Sequence, residues 1–102
     1  MSRCPKFTAL HDAHDLAEGI AQITPGARDD RMAARTVIHS LAVLTTEAKA
    51  RADSTSHHVE TLRAVLGDLR SAPAVRADHT IAGLHARLTA NVASGLFDAP
   101  RA

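Results

Sequence analysis

The sequence is poor in the residues that most often announce a chemistry. It holds one cysteine, Cys4, which excludes an intrachain disulfide and any metal site built from several thiolates. It has no tryptophan, no tyrosine and two phenylalanines. The core must therefore be aliphatic, and no aromatic platform exists on which nucleic-acid bases would stack. Charge of one sign is also lacking: 12 basic and 11 acidic residues leave a net charge of +1. They are spread evenly, without the clustered Lys and Arg that phosphate-backbone recognition requires. No uninterrupted apolar run approaches a membrane span, and Met1 to Ala9 lack a signal-peptide core, so the expected location is cytoplasmic. Gly-x-Ser-x-Gly, the phosphate loop and Gly-x-Gly-x-x-Gly are absent, which removes the commonest routes to nucleophilic catalysis and nucleotide binding.

What is present is helix-forming sequence. Alanine accounts for 21 residues of the 102, and β-type alternation is sustained nowhere. The reading is an all-α single domain, a three- or four-helix bundle with a long central helix. That central stretch is Arg31 to Ala52, free of Gly and Pro, with Ala34, Val37, Ile38, Leu41, Leu44 and Ala48 at helical spacing. As one helix it would be roughly 33 Å long. Met32 and Val43 lie on its opposite side, which suits a helix touched on two faces.

The flanking segments follow from local chemistry. Thr8 is an expected N-cap for a first helix to about Ile23, with Leu10, Ala13, Leu16, Ala17, Ile20 and Ile23 on one side. Thr24-Pro25-Gly26 stops it, and Asp29 or Asp30 caps the next helix. Beyond Ala52 two readings remain open. Asp53-Ser54-Thr55-Ser56 favours a fresh start, yet the apolar phase runs on through Val59, Leu62, Leu66 and Leu69. Gly67 to Asp78, containing Pro73, reads as a loop. A last helix is expected from Asp78 or Thr80, carrying Ile81, Leu84, Leu88 and Val92. Ser94-Gly95-Leu96 reads as a glycine C-cap, with Phe97 anchoring the tail.

Seven histidines raise the question of metal or acid–base chemistry. On the first helix His11, His14, Asp15 and Glu18 project from one side, a set of imidazoles and carboxylates that suits Zn²⁺ or another divalent metal. The same pattern is also the wet face of an amphipathic helix, braced by pairs four residues apart. Glu-x-x-His, the di-iron bundle motif, is absent after Glu18, Glu47 and Glu60. On the second helix Arg31, Arg35 and His39 form a polar stripe. It can grip a carboxylate or phosphate of a cofactor or ligand, because arginine presents a bidentate fork, or it can be a solvated face. His57-His58 reads as a solvated pair near a helix start, His79 as a cap neighbour and His85 as a boundary residue.

RMAARTVIHSLAVLTTEAKA, ETLRAVLG and LHARLTANVASGLFD together resemble a family of small uncharacterised bacterial helical proteins. Members are often encoded beside acyl-CoA dehydrogenases and kinases similar to aminoglycoside phosphotransferases. The resemblance covers Arg31 to Asp98 and supplies no catalytic residues. The family's Asn-Pro segment has no counterpart in this sequence. It implies an accessory role near fatty-acyl or related CoA metabolism. Residues and resemblance together lead to the expectation of a non-catalytic accessory or protein-interaction protein, homodimeric because its aliphatic core is thin. The alternatives are a small metal- or anion-binding protein, or a helical regulator of another protein.

Overall fold

The computed structural model describes residues 5–46 and 52–98, with side chains in the second segment described from Thr55 onward. Those residues are all-α. Five helices follow in order: α1 Pro5–Ile23, α2 Arg28–Thr46, α3 Ala52–Leu69, α4 Pro73–Ala77 and α5 His79–Ala93. None is long and apolar enough to cross a membrane.

α1 opens at Pro5, whose fixed φ and missing N–H suit a first helical turn. Thr8, the expected N-cap, thus lies inside the helix. Ala9, Ala13, Leu16 and Ile20 face the core as their spacing requires. The helix closes where Thr24 donates both its N–H and its hydroxyl to the Ile20 carbonyl, at 2.8 and 3.0 Å. α2 then starts three residues earlier than the stretch from Arg31, which brings Arg28 onto the helix and puts Asp29 and Asp30 in its positively polarised first turn.

α2 does not continue into α3 as one rod. His39 and His58 are 19 positions apart, which on one helix means roughly 28 Å, yet their ring centroids lie 6.2 Å apart. The chain has folded back, and the two helices pack side by side. Residues 47–51, which the expected central helix would include, lie outside the described residues. The apolar phase that runs from Val37 to Leu69 therefore marks two separate faces on a shared core. In place of one dominant spine there are four helices of 15 to 19 residues.

The stretch expected as a loop is partly helical. α3 passes through Gly67 to Leu69, and three turn bonds, ending with Ala72 N–H to the Leu69 carbonyl at 3.0 Å, lead into α4. α4 opens on Pro73 and buries Ala74 and Val75. Asp78 then caps α5, its carboxylate accepting from Ile81 N–H at 3.0 Å. At the far end Gly95 takes a φ of +86°, and Phe97 folds back into the core.

α1 packs against α2 and α5, and α3 against α2 and α5, so the four longer helices surround one contiguous core. α4 lies against α5 and touches α1. At the α1–α5 crossing Gly19 lets Ile81 approach the helix backbone. A Cβ built there would overlap Ile81 Cδ1 and stand 3.2 Å from Cγ1.

Candidate functional site

Three groups of polar side chains merit comparison: the outer face of α1, the cleft between α1 and α2, and the histidines between α2 and α3. On α1, His11, His14, Asp15 and Glu18 are all exposed, as an amphipathic helix requires. His11 Nδ1 lies 3.2 Å from Asp15 Oδ2, while Glu18 accepts a hydrogen bond from Gln22 at 3.3 Å. The group whose ligand atoms converge, within 4.8 Å of one another, is instead His11, Asp12 and Asp15. His14 and Glu18 are not part of it.

Asp12 is the unexpected member. It is 6% exposed, and its carboxylate is already claimed from α5: Arg87 donates from Nε to Oδ2 at 3.2 Å and from Nη2 to Oδ1 at 3.0 Å. The hydrogen bond to Asp12 holds the Arg87 guanidinium above its ordinary pKa. The charges of Asp12 and, more weakly, Asp15 add to the rise, against a lowering by desolvation. A cation at the α1 cluster would have to compete with this guanidinium. The arrangement therefore works as a helix–helix clasp, and the exposed His11–Asp15 pair borders it.

The α2 stripe divides. Arg31 and Arg35 line a groove of about 580 Å³ between α1 and α2, joined by Arg28, with Met32 and Ile38 alongside. Ala17 and Ala21 of α1 form the opposite wall, together with Glu18. None of the three arginines forms an ion pair with a described residue. Met32 is 55% exposed, the thioether side chain lying open beside three guanidinium groups. The groove thus combines apolar side chains with three cations that have no ion-pair partner among the described residues, opposed by one carboxylate. It suits a ligand that is apolar on one side and anionic on the other. His39 is not in its lining. Its ring sits 6.2 Å from His58, which in turn lies 5.4 Å from His57.

Arg28 could have been found from spacing alone, since Arg28, Arg31 and Arg35 lie three and four apart. A helix capped at Asp29 or Asp30 leaves Arg28 outside, whereas α2 begins at Arg28. The Asp12–Arg87 and His39–His58 pairs join residues on different helices, and no local pattern announces them. His85 is also placed by tertiary structure: it is buried, with Nε2 2.6 Å from the Leu66 carbonyl.

No family model matches the chain, and no curated protein or solved structure gives a significant match, so no relative supplies a role for any of these residues.

Proposed function

We propose that the protein is a non-catalytic interaction protein that receives an acidic, amphipathic helix of a different protein in the α1/α2 groove. The supporting observation is the groove itself: Arg28, Arg31 and Arg35, all without an ion-pair partner among the described residues, stand beside exposed Met32 and an alanine-lined wall. From Arg28 to Ile38 the α2 wall is about 15 Å long, the length of about three helical turns. A helix laid there would bury its apolar face on Met32 and Ile38 and present carboxylates to the guanidinium forks. The groove is not enclosed. A small molecule, which usually has to bury about 70–90% of its surface for firm binding, finds less cover there. Anion recognition by the Arg31–Arg35 stripe is kept in this reading, with the anion carried on a helix.

The test is a titration of the protein with a synthetic helical peptide bearing Glu on one face and Leu on the other, followed by fluorescence anisotropy. Saturable binding that weakens with added salt is the expected result. Binding of decanoate or inorganic phosphate without binding of the peptide would replace this reading with a small-anion site. The homodimer expected from the thin core is the other competitor. Sedimentation showing a dimer that Arg31→Ala with Arg35→Ala dissociates would make the occupant a second copy.

A further inference from the structure

Glu18 is the one acidic side chain among the described residues lining the α1/α2 groove, and it stands on the α1 wall opposite Arg28, Arg31 and Arg35. The two signs of charge do not close on each other: none of the three guanidinium groups forms an ion pair with the Glu18 carboxylate. Among the described residues that carboxylate has one hydrogen bond, accepted by Oε1 from Gln22 Nε2 on the same helix at 3.3 Å. Oε2 has no partner among them, and the side chain is exposed. The groove thus keeps its charges on separate walls. The cations run along α2 at steps of three and four residues, over about 10 Å of helix. The carboxylate is on α1, beside Ala17.

Resting on the role of the groove as a helix site, we propose that Glu18 sets the charge pattern of the partner: its helix carries acids on the flank that meets α2 and a lysine or arginine on the flank that meets α1. A helix lying between two others presents one flank to each, and charges on those flanks decide partner choice and direction. Carboxylates at three- and four-residue spacing match the arginine row, since each guanidinium offers a two-pronged donor. A cation on the other flank meets Glu18, whereas a carboxylate there faces a like charge. Turning the helix end for end, with its apolar face still inward, exchanges the two flanks, so the pattern also fixes the direction of the partner. Net charge alone predicts the opposite preference: three cations against one carboxylate favour the most acidic helix. Glu18 therefore rejects one class of helix as well as attracting another.

The experiment uses three fluorescent helical peptides. They share a leucine face and a glutamate flank, and the second flank is lysine, glutamine or glutamate throughout. Anisotropy titrations at low ionic strength give a Kd for each peptide with the wild type, Glu18→Gln and Glu18→Lys. The wild type should bind the lysine-flanked peptide most tightly and the glutamate-flanked one least, the two differing roughly five-fold. Glu18→Gln should remove that preference, and Glu18→Lys should invert it. Comparing the ratio between proteins cancels differences in helicity among the free peptides. Glu18 is exposed, so both variants should keep the wild-type circular dichroism spectrum and Tm. Equal binding of the three peptides by the wild type, or a preference unchanged in Glu18→Gln, overturns the role of Glu18 and leaves the groove as a helix site. Equal tightening of all three by Glu18→Gln does the same, because the carboxylate would then only offset the arginines. Binding of none of the three overturns both.

Discussion

Arg87 of α5 closes a two-point clasp on Asp12 of α1, across 75 positions of sequence. The carboxylate is nearly enclosed, whereas the guanidinium side chain is 63% exposed. The two partners are therefore unequal. Losing Arg87 strands a desolvated charge, and losing Asp12 merely frees a solvated one. Arg87→Ala should lower Tm more than alanine at exposed Arg76, and Asp12→Ala with Arg87→Ala should be no worse than Arg87→Ala alone. Thermal melts of the wild type, these three variants and Asp12→Ala alone provide the check, and strictly additive losses of Asp12→Ala and Arg87→Ala would contradict the clasp.

The same pair makes a pH prediction. Arg87 has its folded-state pKa raised, so its contribution is complete below the ordinary arginine value and is lost only as pH rises through the higher folded one. The Tm difference between wild type and Arg87→Ala should hence stay constant from about pH 7 to about pH 10. A difference that shrinks across that interval would assign the effect to another group.

Gly19 and Ile81 predict a sign reversal. Alanine at a helix interior is favoured over glycine by about 1 kcal/mol, but at Gly19 its Cβ would overlap Ile81 Cδ1. Overpacking of this sort costs about 1–3 kcal/mol. Gly19→Ala should therefore destabilise the wild type. Ile81→Val removes Cδ1, and in that background Gly19→Ala should become neutral or stabilising. Urea denaturation of both single variants and the double variant measures the coupling, and a Gly19→Ala effect of equal size in both backgrounds would rule out the contact.

His85 completes the end of α3. Arg70 N–H turns to the Gly67 carbonyl at 3.3 Å, so the Leu66 carbonyl lacks its usual helical donor, and His85 Nε2 stands in at 2.6 Å. Replacing His85 by Leu keeps the bulk and removes the donor. An unsatisfied buried carbonyl costs about 1–3 kcal/mol, so His85→Leu should be destabilised by that order in urea melts. Stability equal to wild type would show that the carbonyl finds water or another donor.

The helical character and much of the core were legible in the sequence because they rest on local periodicity. Leu16, Ile20, Val37, Leu41, Leu62 and Leu88 recur at three- and four-residue steps, and all are buried. Asp78 and Gly95 were legible for the same reason, since capping is decided within one turn of chain. Periodicity failed where two segments shared a phase by coincidence. The apolar steps from Leu44 to Val59 look continuous, but the packing of His39 beside His58 requires a reversal between them. Asp12 was hidden because its neighbours His11, His14 and Asp15 are exposed, and its partner lies on the last helix. Two of the three residues of the α2 stripe come together as their spacing implies: Arg31 and Arg35 line the groove, while the His39 ring lies against His58 of α3.

The α1/α2 groove is the central claim, and amide chemical-shift mapping tests it most directly. Isotope-labelled protein would be titrated with the acidic amphipathic peptide and, in parallel, Arg31→Ala/Arg35→Ala protein would be treated identically. The wild type should show saturating shifts confined to Ala17–Ala21 and Arg28–Ile38. The double variant should keep its Tm and lose those shifts. Shifts centred elsewhere, or a double variant that binds as well as the wild type, would contradict the account.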